Sequence, residues 1–134
     1  MPMKLKTTIE RINEIPNSKN LELVNNFREY TESNDCSEHH ENNNLKVVSA
    51  FCHFLGKDKC FYDIKNKGQI LEFLDTKIKP LDQDPDKRWI TTWNKYLNRL
   101  KLFYRWRYNH GNDLEHENWE TPEFIKIKSK EKTF

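Results

Sequence analysis

The apolar residues of this chain recur at intervals of three and four, which is the spacing of an α-helix with one buried face. Strand signals are weak, because the chain has no sustained alternation of apolar and polar residues and no Asn-Gly or Asp-Gly hairpin turn. The pattern therefore predicts an all-α fold, a bundle of four or five helices. A short helix is predicted over residues 4–13, and a longer one from its N-cap Ser18 to residues 33–35.

A polar stretch followed by an apolar one predicts the next helix, from its N-cap Ser37 to a C-terminal cap at Gly56. Residues 57–66 are predicted to form a loop with Ile64 as its one core anchor. A further helix is predicted from the end of this loop to Pro80. Its inward-facing residues are expected to be Ile70, Leu71, Leu74 and Ile78.

The strongest helical pattern spans about 24 residues and ends at Gly111, since glycine commonly follows a helix. Asp84 is predicted to cap it, with Pro85 in the first turn. Its main apolar stripe falls within about 120° of the helix circumference and is expected in the core. The stripe contains Trp89, Trp93, Tyr96, Leu97, Leu100, Phe103 and Tyr104. Trp106 and Tyr108 lie off the stripe and are predicted to form an interface.

The length of 134 residues suits one domain with flanking segments. We predict an N-terminal extension or short helix over 1–16, a helical domain over 17–111 and a linker over 112–134. The linker prediction depends on Thr121-Pro122, which favours an extended path, and on a polar composition.

Three cysteines, Cys36, Cys52 and Cys60, occur without a signal peptide or an apolar run long enough to cross a membrane. This combination favours free thiols in the cytoplasm. The spacing lacks a Cys-x-x-Cys pair, so no metal site is expected, and Cys52 is expected in the core. The chain also lacks a glycine-rich phosphate loop and a nucleophile elbow. We therefore expect no cofactor and no catalytic residue within these 134 residues.

The net charge is only +2, but its distribution is uneven. Between Asp86 and Asp113 the chain has seven basic residues and no acidic one. Ordinary surface helices mix both signs, so this segment favours a polyanionic partner over a merely solvated face. One flank of the predicted helix carries Arg88, Thr92, Lys95, Arg99 and Trp106, and the other carries Asn94, Lys101 and Arg105. Together with Lys87, the charged and polar members can bind phosphates or base edges.

The helix after Ser37 begins with a polar half that is rich in asparagine. Helix N-termini suit phosphate contacts, and asparagine matches adenine edges. Glu38 and Glu41 count against direct phosphate approach. A solvated first turn without a partner is an equally good interpretation of this stretch.

Two segments resemble the N-terminal core-binding (SAM-like) domain of tyrosine recombinases, the phage-integrase family. Residues 37–56 are similar to a family helix that begins with Ser and a polar turn and closes on an aromatic pair. Residues 92–106 are similar to the last helix, with Thr, then Asn two positions later, and a Phe-Tyr-Arg-Trp ending. The resemblance extends over 21–108, and 119–125 look like the link to the catalytic domain in archaeal integrases.

The resemblance implies a domain that grips double-stranded DNA while a catalytic domain, expected after residue 134, cuts and rejoins strands through a tyrosine. It also implies that the chain's own catalytic domain and further copies, as a tetramer on DNA, are partners. Two helices would approach the major groove. Their contact residues would be His39, His40, Asn42, Asn43 and Lys46 on one helix, and Arg88, Thr92, Asn94, Lys95 and Arg99 on the other.

The alternative comes from a different class, a helical protein-interaction module with no role on DNA. In that case the basic helix would dock an acidic partner protein. Trp106, Tyr108 and Trp119 would then form the hot spot of the interface.

Overall fold

The computed structural model describes residues 5–33, 37–109 and 119–131. Within these residues the chain forms five α-helices and no strand, which confirms the all-α prediction for the described part. The helices are α1 (Leu5–Asn13), α2 (Ser18–Ser33), α3 (Glu38–Leu55), α4 (Lys67–Leu74) and α5 (Trp89–Asn109). No helix among them combines the length and apolar character that crossing a bilayer requires.

The chain divides into two compact units, unit 1 (Met1–Asp63) and unit 2 (Ile64–Phe134). The division falls inside the segment 17–111. The boundaries predicted from the sequence, 1–16, 17–111 and 112–134, stay predictions.

Unit 1 is built from α1, α2 and α3, which contact one another in every pairing. The core side chains are buried because each helix turns its apolar stripe inward: Ile12 from α1, Leu23, Val24 and Phe27 from α2, and Leu45, Val48 and Phe51 from α3. A partly buried polar contact joins α1 to α3, where the Thr8 hydroxyl donates to Oδ1 of Asn42.

The ends of α3 confirm the predicted caps. The Ser37 hydroxyl accepts the backbone N–H of His40 at 3.2 Å. Gly56 has a φ of 75°, which glycine adopts without a Cβ penalty, and its N–H reaches the Cys52 carbonyl at 3.1 Å. The cap predicted for α2 is wrong by one residue, because Oδ1 of Asn17 accepts the Asn20 N–H at 3.1 Å and Ser18 lies inside the helix.

The loop after α3 has more core anchors than predicted. Ile64 is buried as expected, but Phe61 and Cys60 are buried too, and Phe61–Asp63 form a 3₁₀ turn. Asn20 fastens this loop, because its buried amide donates to the Lys59 carbonyl at 3.0 Å and accepts the Phe61 N–H at 2.9 Å. These contacts are invisible to helical periodicity.

In unit 2, α4 begins at its predicted place. Asn66 and Gln69 form a capping box, in which each side chain accepts a backbone N–H of the other residue. The predicted continuation to Pro80 is wrong, since α4 ends at Leu74. The Thr76 hydroxyl donates to the Phe73 carbonyl at 2.6 Å and helps to close the helix in a short 3₁₀ turn. Ile78, predicted to face inward, is 45% exposed as a result.

The start of α5 uses the predicted cap in an altered geometry. The Asp84 carboxylate accepts the N–H groups of Arg88 at 3.1 Å and Trp89 at 2.9 Å. Lys87 has a positive φ of 52°, which is not helical, so the helix begins at Trp89 and Pro85 lies in the preceding turn. The predicted end at Gly111 lies outside the described residues.

The apolar stripe of α5 is largely buried, as predicted, although Trp89 and Tyr96 are only half-buried. The interface prediction is wrong for Trp106, which is 2% exposed and packs its ring 5.9 Å from that of Phe103. Tyr108 is 50% exposed, and its role in an interface stays a prediction.

Residues 119–131, here called the strap, lie along α5. Their short 3₁₀ turn, Glu123–Ile125, contacts α4 and α5. Ile125 is fully buried, and the Phe124 ring meets the Tyr104 ring edge-on at 5.0 Å. The sequence predicts a linker here, and the structure shows that this part of it is packed.

Candidate nucleic-acid interface

The first flank of α5 is the side of the helix that carries Thr92, Lys95 and Arg99, with Arg88 directly before the first helical residue. It presents its polar side chains to solvent. Arg88, Thr92 and Lys95 are exposed, and Arg99 is half-buried. The Arg88 guanidinium lies 3.8 Å from the Asp86 carboxylate, and both side chains are more than 70% exposed. Such an exposed pair is worth roughly 0–1 kcal/mol, so Asp86 is a weak competitor for a phosphate.

A shallow, open groove of about 440 Å³, formed by side chains of α5 alone, runs along this side of the helix. It is lined by Thr91, Asn94, Lys95, Asn98, Arg99 and Leu102. Thr91 and Asn98 are exposed hydrogen-bonding residues that the sequence reasoning missed. Both residues lie three or four positions from Asn94 and Lys95, which places them on the same face of the helix. This spacing in the sequence would have predicted them.

The second flank of α5 is occupied by the strap. Asn94 makes a two-point amide pair with Lys130, because its Nδ2 donates to the Lys130 carbonyl at 2.9 Å and its Oδ1 accepts the Lys130 N–H at 2.8 Å. Lys101 Nζ donates to the Ile127 carbonyl at 2.7 Å, and Arg105 Nη2 donates to the Trp119 carbonyl at 3.2 Å. Three residues predicted to contact DNA therefore bind the main chain of the strap.

A second two-point pair closes the other end of the strap. Asn109 donates to the Glu120 carbonyl at 2.8 Å, and its Oδ1 accepts the Glu120 N–H at 3.2 Å. Asn109 is buried, and the sequence reasoning did not single it out. Asn94 and Asn109 bind only main-chain atoms of the strap, so other side chains at Lys130 and Glu120 would leave these hydrogen bonds intact.

The buried side chains of the strap determine how much free energy its dissociation from α5 would cost. Ile125 is fully buried and Ile127 is 9% exposed, and burying such a side chain contributes about 1.5–3 kcal/mol each. Each side chain–main chain hydrogen bond adds about 0.5–1.5 kcal/mol. An exposed ion pair that Lys101 or Arg105 could form instead is worth roughly 0–1 kcal/mol. We therefore expect the strap to stay docked when unit 2 binds an anion.

The polar half of α3 belongs to unit 1 and forms a surface of its own. His39 and His40 are exposed, with ring centroids 6.1 Å apart. Asn43 Nδ2 lies 3.1 Å from His39 Nε2, and Asn43 and Lys46 are half-buried. Asn42 is held by the Thr8 contact described above, so it has a structural role that the sequence did not predict.

Burial withdraws one acidic residue, Glu41, from this surface, whereas Glu32 of α2, which pairs with Arg28, lies beside it. Glu41 is 6% exposed and therefore lies out of reach of an approaching phosphate. Burial raises the pKa of its carboxyl group, and the neighbouring Glu32 carboxyl raises it further, whereas the Arg28 guanidinium opposes the change. Glu38 remains as the exposed acid of the first turn.

The cysteines of the described residues are free thiols. Cys52 and Cys60 are both buried and unbridged, which confirms the prediction for these two, whereas Cys36 lies outside the described residues. Burial raises the pKa of the Cys52 thiol. Across residues 5–33, 37–109 and 119–131, no three His, Cys, Asp or Glu side chains come together as a metal site.

Comparison with models of protein families, with curated proteins and with solved structures finds no significant match to this chain.

Proposed function

We propose that this chain is the DNA-binding N-terminal domain of a site-specific tyrosine recombinase, which clamps duplex DNA during integration and recombination. The observation that carries the proposal is the first flank of α5, where exposed Arg88 and Lys95 adjoin a groove rich in amide and hydroxyl groups. Basic side chains of this kind neutralise phosphates, and Asn and Thr add donors to phosphate or base edges.

The like-charge spacing along α5 supports a polyanionic partner. Lys95 and Arg99 are four residues apart, as are Lys101 and Arg105. Like charges at this spacing destabilise a helix by roughly 0.2–0.5 kcal/mol per pair. Both members of the second pair, Lys101 and Arg105, donate hydrogen bonds to carbonyl groups of the strap. Phosphate groups of DNA would reduce the charge repulsion within the first pair.

The remaining parts of the proposal depend on the family resemblance. His39 and His40 on α3, with Asn43 and Lys46, would supply a second contact surface. A catalytic domain beyond residue 134 and a tetramer on DNA complete this part. The cytoplasmic location is proposed instead from the free thiols.

The protein-interaction alternative loses one of its anchors. Trp106 is buried, so it cannot join Tyr108 and Trp119 in an exposed hot spot. An exposed tyrosine and a half-buried tryptophan make a smaller patch than that alternative requires.

Fluorescence anisotropy of a labelled duplex of about 30 base pairs, three helical turns, tests the proposal. The protein is titrated into the duplex at a series of salt concentrations from 20 to 200 mM, and the affinity is measured at each. If about five phosphates are neutralised, the logarithm of affinity falls against the logarithm of salt concentration with a slope of roughly −4 to −5.

The matched variant replaces Arg88, Lys95 and Arg99 by Glu. We expect it to lose DNA binding while circular dichroism shows an unchanged helical content, because these side chains lie outside the core. No binding by the unmodified protein at 20 mM salt would refute the proposal, and so would a variant that binds as tightly as the parent.

A further inference from the structure

The strap alternates buried and exposed residues over 125–128, and all of 128–131 are exposed. Ile125 and Ile127 are buried, whereas Lys126, Lys128 and Lys130 between and after them are exposed. The strap therefore carries a row of three exposed lysines at every second position, and the ammonium group of the last one, Lys130, lies over the ring of Trp93 on α5.

The three lysines differ in their surroundings. Lys126 Nζ lies 3.2 Å from a carboxylate oxygen of Glu123, three residues earlier in the strap. Lys130 Nζ lies 4.8 Å from the centroid of the Trp93 ring, in a cation–π contact. Lys128 and Lys130 are thus the two strap cations not engaged by Glu123.

Asn94 connects this row to the groove on α5. Its amide holds both main-chain polar atoms of Lys130, and the same side chain lines the groove with Lys95 and Arg99. The end of the strap consequently lies at one edge of the groove. The flexible stems of two lysines can bring their ammonium groups toward an anion that lies there.

We infer that Lys128 and Lys130 bind phosphodiester groups of the DNA that lies on the first flank of α5, and that Asn94 is a positioning residue that fixes them there. The inference rests on the proposed function. Lys101 and Arg105 on the second flank were predicted to bind phosphates, but they donate hydrogen bonds to carbonyl groups of the docked strap. Under this inference, Lys128 and Lys130 of the strap bind phosphates in their place.

The test compares two double variants in the anisotropy titration described above. Lys128→Gln with Lys130→Gln removes the strap charges. Lys57→Gln with Lys59→Gln is the matched control, since these exposed lysines have the same spacing and belong to unit 1. Their carbonyls accept hydrogen bonds from Asn17 and Asn20, which a side-chain change leaves intact.

We expect the strap variant to bind about tenfold more weakly at 50 mM salt, with a salt slope shallower by about 2, one unit for each phosphate contact. The control should keep the slope of the parent. If the strap variant matches the control while the Glu variant of α5 loses binding, the inference is refuted and the proposed function stands. If the Glu variant also binds normally, the proposed function fails, and the inference with it.

Asn94→Ala tests the positioning role by a double-mutant cycle. If Asn94 acts through the strap lysines, its loss weakens binding less in the Lys128→Gln, Lys130→Gln background than in the parent, and it makes the salt slope shallower. Full additivity and an unchanged slope would refute that role. Circular dichroism of each variant verifies that the helices are intact.

Discussion

Replacing Ile125 by Ala tests whether the strap is docked on unit 2. The side chain is fully buried, so the change removes buried apolar groups and leaves a cavity. Truncations of this kind lower the free energy of unfolding by about 2–5 kcal/mol. Ile78→Ala is the matched control, because it is the same substitution in the same unit at a side chain that is 45% exposed.

Urea unfolding followed by circular dichroism measures both changes. We expect the control to change the free energy of unfolding by about 0.5 kcal/mol or less, the range of ordinary surface substitutions. Equal effects of the two substitutions would refute the reasoning, because a strap that is not docked leaves Ile125 as exposed as Ile78. A large effect limited to Ile125 would support a strap that is docked on unit 2 in the free protein.

Two further predictions concern unit 1. Burial and the neighbouring Glu32 raise the pKa of Glu41 in the folded protein above its value in the unfolded chain. The stability that the protonated carboxyl group contributes is therefore present below the pKa of the unfolded chain and is lost as pH rises through the pKa of the folded protein. In urea unfolding, Glu41→Gln should be more stable than the parent at pH 7 and should lose that advantage at pH 4. Glu38→Gln, at an exposed position, is the control, and an equal gain from both substitutions would contradict the reasoning. Asn20→Ala leaves the Lys59 carbonyl and the Phe61 N–H without their partner, and we expect a loss of about 2–4 kcal/mol in the same assay. Asn26→Ala, on the exposed side of α2, should cost far less, and similar losses would contradict the role of Asn20.

The sequence predicted the helices well because their signals are local. The caps of α3 and α4 depend on residues three or four positions apart, and the apolar stripes repeat at the same interval. The end of α4 was missed because Ile78 continues the apolar spacing, although the chain has already left the helix at Leu74.

The candidate site was predicted in part for a similar reason. The exposed flank with Arg88 and Lys95 follows from helical spacing and from the absence of acidic residues between Asp86 and Asp113. The groove neighbours Thr91 and Asn98 share that spacing and were within reach of the same argument.

By itself, the sequence determined the all-α class, most helix ends and the concentration of positive charge on α5. The tertiary structure alone decided the tasks of Asn94, Lys101 and Arg105, which bind main-chain atoms of the strap between 14 and 36 residues away. It also decided that Trp106 is buried. The physical reason is that helical periodicity determines which residues share one side of a helix. It does not determine which group packs against that side, because that group comes from a distant part of the chain.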